Sequence, residues 1–371
     1  MEFEVKSSVF NEILSNVIPA IPTKTTQPIL TNFLFEITDG VLNVSATNGD
    51  MTIRSKTDIF STENISFCLP AKLLYETIKN VLSTENLKFV FKENHKLIIH
   101  AGRGEYKFTY IDANEYPKIP IAIDESFTEI NGLLLKTFIQ KTSFAVASED
   151  DTRVAMTGIL FDFDNNKLKV VATNGHLLGK YEKDLENIDF SSQYIVPAKA
   201  TDALLKVLTD KTVKIIFQHG SIKFLMGNYE LTTRIINAKY PDYNTVIPKE
   251  TKYEMIINSG QLRTAIKRLL VYATGETKKI VLTLGDNKII IKAYNELNAA
   301  EGVEEIDCQY SDTPFDISFN GGNLEKVLSQ FDGEDIVFKM NSPDRTVLIK
   351  STNEVEGEDF LILTVPLRIN K

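Results

Sequence analysis

Apolar residues recur along this chain in a pattern written out three times. Residues 29–37 (ILTNFLFEI) read as a strand, turn at Asp39-Gly40, and continue as a second run at 41–50 (VLNVSATNGD). Residues 155–163 (AMTGILFDF) repeat the first run, turn at 164–166 (DNN) and lead into 168–176 (LKVVATNGH). The tetrapeptide Ala-Thr-Asn-Gly thus falls at the same place in both copies. A third, more diverged copy reads KIVLTL at 279–284, a Gly285-Asp286-Asn287 turn, and IIIKAYN at 289–295. Self-similarity of this kind marks a chain built from copies of one structural unit.

The rest of the unit repeats too. Helical spacing of apolar residues opens each copy, at Val9, Phe10, Ile13, Leu14 and Val17, at Leu134, Leu135, Phe138 and Ile139, and at Leu262, Ala265, Ile266 and Leu269. A second helix follows FCLPAKLL at 67–74, YIVPAKA at 194–200 and ISFNGGNL at 317–324. Two copies close on proline pairs, Tyr116-Pro117 with Ile119-Pro120, and Tyr240-Pro241 with Ile247-Pro248, which punctuate the chain as linkers do. The pattern therefore predicts three repeated α+β domains, 1–120, 121–249 and 250–371, each with two helices against antiparallel sheets.

Length and composition agree with a soluble multidomain chain: 371 residues, 43% hydrophobic and 25% charged. No apolar run is long enough to cross a bilayer, and the acidic, alternating start (MEFEV) does not read as a signal peptide, so a cytoplasmic location is expected. Cys68 and Cys308 lie far apart and read as incidental reduced thiols. With four scattered histidines they give no metal-ligand spacing. The formal net charge of -9 argues against nucleic acid only on average, because the face that meets a ligand decides.

Lysine placement supplies such a face. Lys72 and Lys79 share one side of the helix after Pro70, and Lys199 and Lys206 hold the same two positions after Pro197; the third copy has Gly322 and Ser329 there. Lys136, Lys141, Arg263, Lys267 and Arg268 on the opening helices, and Lys24 in a polar loop, are further candidates. No base-reading motif accompanies them, so contact is expected with phosphate and without sequence preference. Six helices side by side at about 9–10 Å close only a small circle, whereas the twelve of two chains leave roughly 25 Å clear inside their helix bodies. A duplex is roughly 20 Å across, so a head-to-tail dimer is the smallest ring that admits one.

At 144–148 (FAVAS) with Thr152-Arg153, 157–161 (TGILF), 172–176 (ATNGH), 240–243 (YPDY) with Ile247-Pro248, and 365–368 (VPLR), the chain resembles the bacterial DNA sliding clamp family along essentially its whole length. Three repeats per chain point to the bacterial rather than the two-repeat type. The resemblance implies a homodimeric ring that encircles double-stranded DNA. It also implies a hydrophobic groove between the second and third domains. There the replicative polymerase, the clamp loader and repair proteins dock short clamp-binding peptides. Carried over by position, that groove uses Met156, Thr173, Gly175, His176, Leu178, Pro241, Val246, Asn320, Thr346, Leu363, Val365, Pro366, Leu367 and Arg368. The chain departs from the family pattern at Leu177, Thr245 and Asn323, and runs on past Arg368 to residues 369–371. The dimer contact is expected to join the first domain of one chain to the third of the other, with Tyr106 meeting Val271 and Tyr272, and with free sheet edges pairing across it.

No enzyme chemistry is expected, and no cofactor or membrane partner. Gly102-Arg103-Gly104 lacks the spacing of a phosphate loop, Glu149-Asp150-Asp151 reads as a solvated acidic loop, and no nucleophile motif occurs. Two other classes compete: a repeat-built scaffold that binds proteins without encircling DNA, and a hydrolase whose carboxylates come from distant parts of the sequence.

Overall fold

The computed structural model describes residues 1–61, 63–117, 126–186, 188–295, 297–353 and 355–368. The expected boundary at Pro120 and the terminal residues 369–371 fall outside these. Among the described residues the α-helices are α1 (Ser7–Val17), α2 (Ala71–Lys79), α3 (Gly132–Ser143), α4 (Ala198–Leu205), α5 (Ser259–Leu269) and α6 (Gly321–Leu328). They are two to each sequence repeat, as the periodicity predicts. The helices after Asn258 and Asn320 are capped by those side chains, which accept from Gln261 N and Asn323 N at 3.1 and 3.0 Å. The run predicted as a strand from Ile29 begins only at Asn32. Pro28 fixes the preceding turn as a 3-10 helix, Pro28–Thr31, in which its missing N–H costs nothing.

The packing unit is not the sequence repeat. The chain forms two compact units, Met1–Lys136 with Lys199–Ile235, and Thr137–Ala198 with Ile236–Lys371, so the second repeat is shared between them. The cause is strand pairing across repeats. In the first unit, Met51–Asp58 of the first repeat pairs antiparallel with Tyr229–Arg234 of the second, Ser55 opposite Tyr229 and Met51 opposite Thr233, inside a nine-stranded sheet. In the second unit, Leu177–Asp184 pairs with Glu358–Thr364, Tyr181 opposite Phe360 and Leu177 opposite Thr364, inside an eight-stranded sheet. Backbone groups that would be orphaned at these edges of the first and second repeats are satisfied by the next repeat.

Each unit also holds a four-stranded sheet that ends on an open strand: Gly104–Thr109 in the first and Ala300–Asp307 in the second. The first unit's core is aromatic. Phe3 stacks on Phe89 at 4.4 Å and Phe35 on Phe67 at 5.0 Å, with Phe10 of α1 fully buried against Phe89. The second unit's core mixes aliphatic residues such as Ile280, Ile289, Ile291, Leu324 and Val327 with buried aromatics such as Phe138, Phe161 and Phe319.

Candidate functional site

The second unit carries an apolar cleft of about 150 Å³, built where the Leu177–Asp184 and Glu358–Thr364 strands meet. Its floor is Leu178, Leu363 and Tyr243, which belong to a buried cluster with Leu160, Val171, Leu348 and Leu361. Its rim is Val246 and Val365, 51% and 41% exposed, large enough apolar surface to want a partner.

One wall is the turn of the Ala-Thr-Asn-Gly motif, and the motif's chemistry explains its shape. Thr173 Oγ1 donates to Leu177 O at 2.7 Å and accepts from Gly175 N at 3.1 Å. Asn174 Oδ1 accepts from His176 N and Leu177 N at 2.9 and 2.8 Å. Gly175 sits at φ +84°, and a Cβ there would lie 2.4 Å from Arg153 Nη1. Arg153 clamps the turn from outside: it donates to Asn174 O at 2.9 Å and grips Asp151 through two hydrogen bonds at 3.0 and 2.8 Å. Those bonds hold the Asp151 carboxyl down at about 2. The motif in the first repeat folds identically, with Thr47 donating to Met51 O at 3.0 Å and Gly49 at φ +96°, yet nothing lies within 4 Å of a Cβ at Gly49. The turn is generic to the repeat; the arginine clamp belongs to the second copy.

Farther along the same strands, on the face that carries Leu178 and Leu363, the seam is charged. Lys180, 9% exposed, lies between Glu182 at 2.6 Å and Asp359 at 3.2 Å, and Lys350 reaches Asp359 at 2.6 Å. Burial alone would raise Asp359 and Glu182, but the surrounding lysines outweigh it and hold both below the usual carboxylate range. Lys183 pairs with Glu358, which also accepts from Tyr181 Oη at 2.6 Å.

Of the residues expected in a groove, Met156, Thr173, Gly175, His176, Leu178, Pro241, Val246, Thr346, Leu363 and Val365 line this cleft together. Asn320, Pro366, Leu367 and Arg368 do not: Asn320 caps α6, and Leu367 is tied to Ser318 by hydrogen bonds at 2.7 and 2.9 Å. Leu177, noted as a departure from the family pattern, lines it too, and Asp242 and Tyr243 line it unforeseen. The signal for Asp242 was present in the sequence, since an Asp before a turn accepts from the backbone two residues on, here Asn244 N at 3.2 Å.

The basic residues expected to face DNA divide by partner. Lys24, Lys72, Lys79, Lys199 and Lys206 are exposed. Lys141 turns inward, donating to Gln330 O and lying 4.9 Å from the Phe360 ring centroid. Arg263 and Lys267 converge on Glu325 at 2.8 and 3.6 Å, which removes part of their charge from any outside ligand. Lys136 is half-buried. Of the expected dimer contacts, Val271 and Tyr272 are 76% and 38% exposed just beyond α5, and Tyr106 lies on the open strand Gly104–Thr109.

Models of the DNA polymerase III beta subunit match the chain in order: the N-terminal domain at residues 1–120, the central domain at 129–242 and the C-terminal domain at 244–365. The beta sliding clamp of Vibrio cholerae is 24% identical over 373 residues and covers all of both chains. That of Staphylococcus aureus is 26% identical, covering 99% of each. The crystal structure of the DnaN sliding clamp of Pseudomonas aeruginosa, bound to griselimycin, superposes with a TM-score of 0.92 at 24% identity over the full length of both chains. With three consecutive domain models spanning nearly all its residues, this chain belongs to the DNA polymerase III beta-subunit family, the bacterial sliding clamps that act as processivity factors in DNA replication.

Proposed function

We propose that two copies of this chain close head to tail into a ring around duplex DNA, and that the cleft of the second unit captures short peptides of the replicative polymerase, the clamp loader and repair proteins. Domain limits at 1–120, 121–249 and 250–371 go with this reading. The protein works by tethering, with no reaction of its own, in the cytoplasm.

The observation that carries the ring is the pair of open edges. Met51–Asp58, Leu177–Asp184 and Ala300–Asp307 hold the same place in the three repeats; the first two are paired with a strand of the following repeat and the third is not. Gly104–Thr109 holds the place of Tyr229–Arg234 and Glu358–Thr364, and it alone lacks that neighbour. A second copy supplies the missing strand in each case.

The register follows from the two internal seams. Ile53 stands opposite Leu231 and Gly179 opposite Ile362; the corresponding residues are Gly302 and Tyr106. Carried over, Gly302 faces Tyr106 of the second copy, Glu301 faces its Lys107 and Ala300 its Phe108. Tyr272 already lies so close that a Cβ on Gly302 would be 2.7 Å from its ring, so Tyr106 would enter beside Tyr272. A Glu opposite a Lys is a favourable cross-strand pair.

Native mass spectrometry at micromolar concentration tests the closure. A dimer is expected, and Val271→Asp should weaken it by tenfold or more, since a buried carboxylate without a partner costs about 1.4 kcal/mol at the least. A wild-type monomer would contradict the ring.

A further inference from the structure

The first unit contains a second cavity, of about 450 Å³, where α1 approaches the end of α4 over the Met51–Asp58 and Tyr229–Arg234 strands. It holds no place in the peptide cleft, which lies wholly in the other unit. Its walls carry Lys56, Lys206 and Lys211, with Glu12 opposing them, and none of the three lysines has an ion pair within 4 Å among the described residues. Asp202 tempers Lys206 from one side, itself raised by burial against that lysine's pull. Tyr229 lies in the same wall, 5% exposed, and its hydroxyl has no hydrogen-bond partner.

The second unit shows what normally fills this place. Lys141 stands ten residues beyond the strand-end Asn131, as Asn16 stands ten beyond Lys6, so the two are equivalent. Phe360 opposite Tyr181 is likewise equivalent to Tyr229 opposite Ser55. In the second unit Lys141 spans the gap, its ammonium on Gln330 O and over Phe360. In the first unit the plug is the shorter, neutral Asn16, and the space stays open.

We propose that this cavity is a phosphate-ester site, with Lys56, Lys206 and Lys211 supplying counter-charge. Three ammonium groups against one lining carboxylate, Glu12, around a polar hollow favour a multiply charged anion. The phosphate belongs either to a DNA backbone or to a free nucleotide; the site does not depend on ring closure.

Asn16→Lys tests the idea sharply, because it adds positive charge yet restores the plug seen at Lys141. Pyrophosphate is titrated into the full-length protein by calorimetry. Wild type is expected to bind in the millimolar range or better, and Asn16→Lys at least tenfold more weakly. Lys56→Gln with Lys211→Gln should weaken binding while thermal melting stays within a few degrees of wild type; this double variant carries the test if Asn16→Lys does not fold. Displacement of pyrophosphate by a 30-base-pair duplex would assign the phosphate to DNA, and persistence of binding beside the duplex would assign it to a free anion. Absence of heat with pyrophosphate up to about 10 mM, or equal or tighter binding by Asn16→Lys, would overturn the proposal.

Discussion

Two glycines in the same motif are held by different forces, and that difference is measurable. Gly49 and Gly175 both occupy the left-handed region, so alanine at either is strained by about 1 kcal/mol or more. Only Gly175 also meets a guanidinium. Gly175→Ala should therefore lower the urea midpoint clearly further than Gly49→Ala; equal losses would show that Arg153 yields freely. Arg153→Ala should let the Asp151 carboxyl rise from about 2 only part of the way to the usual range near 4, because the backbone N–H of residue 153 still donates to it, read by carboxyl NMR titration. Because Asp151 is depressed in the folded state, its contribution is complete above the unfolded value and is lost as pH falls through its folded value. The sequence announced the turn, through Thr, Asn and Gly, but not the clamp, since no local pattern says that Arg153 will reach across to residue 174. For the cleft, Val246→Glu should weaken capture of an apolar clamp-binding peptide by about tenfold without changing native mass, as fluorescence anisotropy would report.

Strands and helices were legible where one face is buried and the other wet. The six helices follow from apolar spacing, and the strand pairs from their alternation around Asp-Gly and Asn-Asn turns. What the pattern did not carry was the partner of each edge strand. Met51–Asp58 and Ala300–Asp307 read alike in periodicity, yet the first is covered within the chain and the second is open. The charged seam beside the cleft is equally silent in sequence, because Lys180, Glu182, Lys350 and Asp359 come together only through strand pairing. Lys180→Met would leave Glu182 with Lys167 and Asp359 with Lys350 as remaining partners and should cost about 1 kcal/mol in urea unfolding. In the wild type the depressed Glu182 and Asp359 contribute fully above their unfolded values near 4, and that contribution disappears as pH falls through their lower folded values. A stability profile flat from pH 6 to 2 would contradict the seam's role.

At the scale of the whole molecule, charge and topology separate. The chain is acidic by -9, yet its family encircles DNA, a polyanion. Topological attachment reconciles the two, since a closed ring needs only weak, nonspecific phosphate contact to remain in place and free to slide. Arg263 and Lys267 share Glu325 and Lys141 is spent on its own seam, so few strong phosphate contacts are left on those helices. The decisive measurement loads the protein with its clamp loader and ATP onto nicked circular DNA, then cuts the circle. Retention on the circle followed by rapid loss from the linear product is expected. Equal retention before and after cutting, or none on either, would contradict encirclement.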